Sequence, residues 1–208
     1  MRIRDPQLPP LPQNPALARA TAPVRYLYPD ENWLSVINHA RPDTKLVLVG
    51  PGAFRVNTPL KFPKRQLYGI NVAILTPKQA SSGRKVVFLT GDSGGLADRA
   101  VFSGFIVWGR LFVNTTDRWT IDDNIFFDKI ATGSVITIKN DAHNCRVSNN
   151  QGYWQGDASS GPVGITAENG STYNTFVGNR FHQWATALTY RGSDGSVDAA
   201  CTGVVTIT

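Results

Sequence analysis

Four aspartates in one short segment are candidates for acid–base chemistry: Asp117, Asp122, Asp123 and Asp128. Glycoside hydrolysis needs two carboxyl groups a few ångström apart, one protonating the leaving group and the other acting as nucleophile or base. The segment is therefore a candidate catalytic site of a polysaccharide lyase or glycosidase. The alternative interpretation is that these aspartates are solvated side chains at the corners of the chain.

A second candidate is the string GDSGG at residues 91–95, which matches the surroundings of the nucleophile in chymotrypsin-like serine proteases. Such an enzyme needs a histidine base on an upstream strand. His39 is the only upstream histidine, and it falls in a segment that we predict to be helical. Leu96 also replaces the expected proline. We therefore interpret the string as a glycine-rich corner.

The histidines and cysteines indicate neither a metal site nor a cofactor. His143, which lies near Asp141, and His182 have no partner at the spacing of metal ligands. Cys145 and Cys201 are far apart in the sequence and fit no redox motif, which indicates a reducing compartment.

Three tryptophans recur at similar distances from apolar anchors. Trp108 and Trp154 each follow an anchor by seven residues, and Trp184 follows one by eight. Three roles are open for such a column: it stacks on sugar rings, it fills the axis between three packed subunits, or it belongs to the core of the chain.

The candidate aspartates and tryptophans lie in a segment with a degenerate repeat. The anchors Val101, Ile121, Val147 and Phe176 are each followed three positions later by Gly or Asn, with steps of 20, 26 and 29 residues. A second column, residues 136–140 against 165–169, repeats the last spacing. Gly and Asn tolerate positive φ at corners, and stacked asparagine amides can bond one another. The strand-end asparagines of this kind are Asn140, Asn144, Asn150, Asn169, Asn174 and Asn179.

The segment 44–77 consists of short runs rich in Val, Leu, Ile and Phe, separated by Gly-Pro-Gly, Asn-Thr-Pro and Pro-Lys-Arg corners. Such a pattern predicts either a small β-sandwich or a solenoid. The order of VLVGPGAFRVNTPLKF, a polar corner and QLYGINVAIL resembles the entry of right-handed parallel β-helices of the pectate-lyase-like and phage tailspike kind. The resemblance covers about residues 30–190 and implies a short solenoid of roughly five to seven coils.

The same resemblance argues against an enzyme. In β-helix enzymes the catalytic acid and base stand on neighbouring coils of one face. The repeat sets Phe102 and Ser103, and then Ser148 and Asn149, against Asp122 and Asp123, so no carboxylate column forms. The paired-aspartate, Gly-His-Gly and basic signatures of polygalacturonases and pectate lyases are also absent.

One helix is predicted, over residues 29–40, with Asp30 as N-cap and an acidic first turn. Its apolar stripe consists of Trp33, Leu34, Ile37 and Ala40. In the β-helix resemblance this helix closes the open end of the solenoid. The predicted organisation is an arm at 1–25, a capping helix at 26–43, the β-helix at 44–190 and a closing turn and strand at 191–208.

The N-terminal arm is basic and rich in proline, which favours an extended conformation. It has too few apolar side chains to offset its ordering entropy, so we expect a partner protein to hold it, or else the arm folds back on its own domain. The residues expected to bind the partner are Arg2, Arg4, Pro9, Pro10, Pro12, Arg19 and Arg25. The net charge of +6 is scattered and indicates no specific nucleic acid. No signal peptide or membrane span is recognisable.

Together these patterns predict a non-catalytic structural protein of a bacteriophage particle, assembled in the host cytoplasm. The homotrimer expected from the tailspike resemblance also follows from size, because a solenoid this short has a poor ratio of surface to volume. The arm would fasten it to capsid or tail, as a decoration, a cement or a fibre or spike component. The alternatives are a carbohydrate-active tailspike enzyme and a glycan-binding protein that contacts a host surface polysaccharide.

Overall fold

The structure is a computed structural model, and it describes residues 24–40, 44–56, 60–61, 66–77, 89–90, 100–114, 117–128, 133–139, 142–155, 163–168, 170–182, 186–190, 196–197 and 205–207. Within these residues the chain winds as a parallel β-helix, which confirms the predicted fold class. Every pair of neighbouring strands is parallel, and no antiparallel hairpin of a sandwich occurs in the described residues. Strands are numbered below in chain order.

The longest layer, here called the first sheet, has eight strands. In spatial order they are β1 (Val24–Leu27), β2 (Lys45–Val49), β5 (Gln66–Ile70), β8 (Val101–Ser103), β11 (Thr120–Asp122), β14 (Arg146–Ser148), β17 (Thr175–Val177) and β20 (Ser196–Val197). Consecutive members are one coil apart in the sequence, which is the connectivity of a solenoid.

Two further long layers complete the coils. The second sheet runs β3 (Gly52–Val56), β6 (Ala73–Pro77), β9 (Ile106–Trp108), β12 (Ile125–Asp128), β15 (Gln151–Trp154) and β18 (Arg180–His182). The third sheet runs β10 (Leu111–Asn114), β13 (Ser134–Lys139), β16 (Val163–Ala167), β19 (Thr186–Tyr190) and β21 (Val205–Ile207), and a two-stranded sheet pairs β4 (Leu60–Lys61) with β7 (Leu89–Thr90).

Four coils contribute a strand to all three long sheets, namely those that begin with β8, β11, β14 and β17. The described residues thus contain fewer complete coils than the predicted five to seven, because the N-terminal coils place their third strands in the separate two-stranded sheet. Stacking also extends past both predicted boundaries of the solenoid. Strand β1 pairs with β2 ahead of residue 44, and β20 and β21 continue the sheets beyond residue 190.

The core forms because alternate strand residues point inward, where apolar side chains from successive coils stack on one another. In the first sheet the inward column is fully buried and consists of Leu46, Leu67, Phe102, Ile121, Val147 and Phe176. The predicted pairing of Ile121, Val147 and Phe176 is confirmed. The predicted anchor Val101 is wrong, because Ile121 pairs with Phe102 and Val101 faces outward opposite Thr120.

The predicted second column is also confirmed. Ile136 pairs with Ile165, and Thr137 pairs with Thr166. Ile136 and Ile165 are fully buried. Because the register of this column fixes which residues point away from the core, it also places Thr137 and Thr166 side by side on the outer face of the third sheet, where Thr137 is buried and Thr166 is partly exposed.

The corner between the first and second sheets repeats one backbone conformation. Asp123, Asn149 and Gly178 have φ of 53°, 55° and 66°, and Gly104 has φ of 81° in the preceding coil. Such values belong to the left-handed region that Gly and Asn tolerate best. Of the repeat residues only Gly104 occupies this position. Asn124, Asn150 and Asn179 come one residue later and do not have positive φ, so tolerance of positive φ is the wrong explanation for these asparagines.

Directly after this corner, three buried side chains form the asparagine ladder: Asn124, Asn150 and Asn179. Asn150 Oδ1 accepts from the backbone N–H and from Nδ2 of Asn124, at 3.1 and 2.9 Å. Asn179 Oδ1 accepts in the same way from Asn150, at 3.1 and 3.0 Å. Each Nδ2 also donates to a main-chain carbonyl of the preceding coil, on Phe102, Ile121 and Val147 respectively. The buried amides therefore tie successive coils together.

The other predicted corner asparagines have different roles. Asn174 is buried, accepts from the backbone N–H of Cys145 at 2.8 Å and donates to the carbonyl of Ala142. Asn144 is exposed. Asn140 and Asn169 lie outside the described residues.

The predicted helix is confirmed in a shorter form, as α1 (Trp33–His39). Its N-cap is Asn32 and not Asp30, and its first turn contains no acidic residue. Trp33 packs edge-on against Phe54 with ring centroids 5.3 Å apart, and Ile37 is fully buried in the core. The helix follows β1, so it interrupts the first coil of the chain. In the described residues no helix is long and apolar enough to cross a membrane.

Candidate functional site

A ladder of rings runs along the outer face of the second sheet, one ring from each of four coils. The aromatic ladder consists of Trp108, Phe127, Tyr153 and His182, which are paired in register. Ring centroids are 4.9, 5.4 and 5.0 Å apart, and the planes differ by 18°, 20° and 12°. These distances are close to the spacing of parallel strands, about 4.8 Å, so each ring stacks on the ring of the next coil.

A column of isoleucines lies beside the aromatic ladder on the same outer face. Ile74, Ile106 and Ile125 are paired in register, and the column continues with Gln151 and Arg180. All three isoleucines are partly exposed. The isoleucines and the aromatic ladder together are called the aromatic face below. An outer surface this rich in apolar side chains is a candidate contact surface.

The predicted tryptophan column is wrong. Trp108 is 41% exposed in the aromatic ladder, whereas Trp154 is 3% exposed and occupies the register position of buried Asp128. Trp108 follows its true anchor Phe102 by six residues and Trp154 follows Val147 by seven, so the two side chains point to opposite faces of the strand. Trp184 lies outside the described residues.

Sequence reasoning missed the other members of the ladder. Phe127, Tyr153 and His182 are different residue types, so a search for one repeated amino acid does not find them. The available signal was positional, because each residue is the third of a strand that follows the corner.

The candidate catalytic aspartates do not share a site. Asp122 accepts from Ser148 Oγ at 2.7 Å and from Asn149 Nδ2 at 3.1 Å, on the outside of the first sheet. Its register neighbours are Ser103 and Ser148, which confirms that no carboxylate column forms there. Asp123 is exposed at the corner.

Asp117 and Asp128 are held in separate surroundings. Asp117 accepts from Asn144 Nδ2 at 2.7 Å and from Arg118 Nε at 3.0 Å, at the corner before the first sheet. Asp128 lies at the end of β12 and forms a buried ion pair with Arg110, Nε to Oδ2 at 2.6 Å. The interpretation of all four aspartates as solvated corner residues is therefore wrong for Asp128.

Each of the three histidines contacts a protein group. His143 Nδ1 lies 2.6 Å from Thr172 Oγ1 on the next coil, and His182 ends the aromatic ladder. His39 Nδ1 lies 2.7 Å from the carbonyl oxygen of Ser35 within the helix. The GDSGG string at 91–95 and Asp141 lie outside the described residues.

A groove of about 370 Å³ is open on the outer face of the third sheet. Its lining residues are Arg110, Phe112, Gly133, Ser134, Thr137, Val163, Thr166, Glu168 and Thr189. Phe112, Thr137, Thr166 and Thr189 are paired in register across four strands, so three threonines follow one ring along this face. Thr137 is buried, and Thr166 Oγ1 is hydrogen-bonded to Ser134 Oγ. This surface is called the hydroxyl groove below. Hydroxyl groups, a carboxylate and a ring are groups that bind a polyol.

Arg110 contributes to the wall of the hydroxyl groove from a nearly buried position. A Cβ atom at Gly133 would lie 2.6 Å from Arg110 Nη1, so a side chain at position 133 would displace the guanidinium. Gly133 also has φ of 84°, which disfavours other residues. The ion pair with Asp128 holds the guanidinium of Arg110 in place, and the absence of a side chain at Gly133 leaves room for it.

The proposed attachment arm is almost entirely beyond the described part of the chain. Arg2, Arg4, Pro9, Pro10, Pro12 and Arg19 lie outside the described residues. Arg25 is in strand β1, exposed and paired with Leu46, so it belongs to the first sheet and not to an extended arm. Cys145 is buried with a free thiol, and Cys201 lies outside the described residues.

Comparison with known proteins gives a likeness of fold. No family model matches the sequence, and no curated protein matches it. A solved structure described as the catalytic domain of a GH87 alpha-1,3-glucanase in complex with nigerose is similar, with a TM-score of 0.64 and 11% sequence identity. The match covers 90% of this chain and 33% of the glucanase chain, so the chain spans about a third of that protein. At this identity the likeness shows the β-helix fold alone.

Proposed function

We propose that the chain is a non-catalytic structural module of a bacteriophage particle, built as a homotrimer of solenoids lying side by side. The observation that carries the proposal is the aromatic face, an outer surface where isoleucines and stacked rings replace the polar residues of an isolated solenoid. The phage setting is supported by the resemblance of the entry segment to tailspikes.

The carboxylates favour a structural function over hydrolysis. Asp117, Asp122 and Asp128 accept hydrogen bonds from neighbouring side chains and belong to different parts of the coil. Among the described residues that line the hydroxyl groove, Glu168 is the single carboxylate. Both stereochemical routes of glycoside hydrolysis use a pair of carboxyl groups.

The N-terminal residues supply the attachment in this proposal. Residues 1–23 contain six prolines and three arginines, a composition suited to lying extended against a surface of another virion protein. The site of attachment would be the capsid or the tail. Because β1 begins at Val24, removal of residues 1–23 leaves every described strand of the solenoid intact.

Light scattering and particle binding test the proposal. The full chain is expected to have about three times its mass of 22.7 kDa. A chain that lacks residues 1–23 is expected to keep its melting temperature and lose binding to particles. A monomer at all concentrations contradicts the trimer, and normal particle binding by the truncated chain contradicts the role of the arm.

The second candidate is a glycan-binding protein, and the hydroxyl groove favours it. The partly exposed Thr189 and Glu168 offer hydrogen bonds to sugar hydroxyl groups, and Phe112 adds an apolar surface. Titration with alpha-1,3-glucan oligosaccharides, chosen from the described activity of the similar glucanase, tests it. Binding that is lost in Phe112→Ala and retained in the outer-face control Val101→Ala supports the second candidate. Turnover that Glu168→Gln abolishes would make the protein an enzyme.

A further inference from the structure

We infer that the aromatic face is the surface through which two copies of this chain contact each other, with their solenoids parallel. The inference rests on the self-association in the proposed function and names the surface that carries it. Three properties of the aromatic face support it: the covered ring faces, the repeat of the side chains and the distribution of charge.

The stacking within the aromatic ladder favours a protein partner over a sugar. Phe127 lies between Trp108 and Tyr153, and Tyr153 lies between Phe127 and His182. Both faces of these two inner rings are therefore occupied by neighbouring rings. A sugar stacks on a free ring face, whereas a protein surface also packs against ring edges.

The repeat of the aromatic face favours a second copy as that protein. Its side chains recur once per coil, at centroid distances of 4.9 to 5.4 Å. Side chains interlock along a surface only if the partner presents the same repeat, and another parallel solenoid does so at about 4.8 Å. A two-fold or three-fold axis parallel to the solenoid places the same coil of each copy at the same height.

Charge separates the aromatic face from the outer face of the first sheet. At the centre of the aromatic face, Ile106, Ile125 and Phe127 carry no charge. The matching positions of the first sheet include Asp122 and Arg146, which keep that surface hydrated. The centre of the aromatic face is therefore uncharged, with Arg180 at the far end of the isoleucine column, and its apolar area gains from being covered.

The size of the aromatic face sets the strength of the contact. The five strands that carry the aromatic face span about 19 Å, and two outward residues per strand give a width of about 10 Å, so the flat footprint is about 190 Å². A stable interface buries about 800 Å² per partner. The neighbouring corners must add to the contact, and we expect association that depends on protein concentration.

Sedimentation of matched lysine variants tests the inference. Ile125→Lys places a charge at the centre of the aromatic face, and Val101→Lys places one at an equally half-buried outward position of the first sheet. Ile125→Lys is expected to raise the dissociation constant of the assembly at least tenfold. Val101→Lys is expected to change it less than twofold, and both variants should keep the far-ultraviolet circular dichroism spectrum of the parent chain.

Cross-linking gives a second measurement that does not depend on a buried charge. In a Cys201→Ser background, Ile125→Cys is expected to form a disulfide-linked dimer on mild oxidation, and Val101→Cys is expected to remain unlinked. If Ile125→Lys leaves the oligomer unchanged and position 125 forms no cross-link, the aromatic face is not the contact surface. That outcome would not contradict the proposed trimer. A chain that is monomeric at every concentration overturns both.

Discussion

Two ladders run along this solenoid, and their members lie a few residues apart in each coil. Different interactions hold the two ladders together. The asparagine ladder lies inside the corner between the first and second sheets, and its amides bond side chains and main-chain groups of the neighbouring coils. The aromatic ladder lies outside the second sheet, and its members touch through ring faces. The asparagine ladder, which is the inner ladder, hydrogen-bonds buried polar groups of successive coils to one another, so it serves the fold. The outer ladder leaves its edges in water, so it is available for binding.

The largest expected effect comes from breaking the inner ladder at its middle. Asn150→Ala removes the acceptor of two Asn124 donors and the donor to the carbonyl of Ile121. Because these groups are buried and would lose their partners, the free energy of unfolding is expected to fall by about 3–5 kcal/mol, measured by urea denaturation.

The matched control for that variant is Asn149→Gly. Asn149 is exposed, and glycine tolerates its φ of 55°. The control is expected to cost about 1 kcal/mol or less. If the two variants lost the same free energy of unfolding, a buried asparagine of the inner ladder would contribute no more to stability than an exposed corner residue.

An intermediate effect is expected from the outer ladder. Phe127→Ala removes two stacking contacts at a half-exposed position, so unfolding of the monomer is expected to become easier by about 1–2 kcal/mol. A double-mutant cycle with Trp108→Ala isolates the ring pair, for which about 0.5–1.5 kcal/mol of coupling is expected. Zero coupling would show that the rings are neighbours without mutual stabilisation.

The smallest effect is expected from the polar end of one outer ring. Tyr153 Oη donates to Gln151 Oε1 at 2.9 Å within the same strand, where water can replace the partner. Tyr153→Phe is therefore expected to change the free energy of unfolding by less than about 0.5 kcal/mol in the same urea experiment. A loss above 1 kcal/mol would mean that hydrogen bonds and not ring contacts hold the outer ladder.

The strand-end asparagines and the buried columns could be predicted from the sequence, because the same residue types recur at these positions in successive coils. Asn150 and Asn179 stood out as strand-end asparagines, and the column of Ile136 and Ile165 gave the correct register. The coil that begins with β8 differs by one residue from the predicted register, because Val101 and Phe102 are both apolar and the strand is three residues long. Slipping by one position exchanges the two faces of a strand.

The outer features were not predictable in the same way, because their residue types vary. Phe127, Tyr153 and His182 share a position and no chemical signature beyond a planar ring. The hydroxyl groove depends on the contact between Arg110 and Gly133, and these two residues are far apart in the sequence. The strand at Val24 was also missed, since VRYL directly follows the proline-rich segment and was assigned to the arm and cap.

The hydrogen bonds of the asparagine ladder join each coil to both of its neighbours: Nδ2 donates to a carbonyl of the coil before, and Nδ2 of Asn124 and Asn150 also donates to Oδ1 of the coil after. They stop at Phe105, whose backbone N–H donates to Asn124 Oδ1 and whose own side chain is apolar. Every coil is thus completed by its successor. Duplicating the stretch from Asn124 to Asn149 would lengthen the protein without leaving an amide unmatched, whereas trimming the C-terminal end would expose the coil left behind.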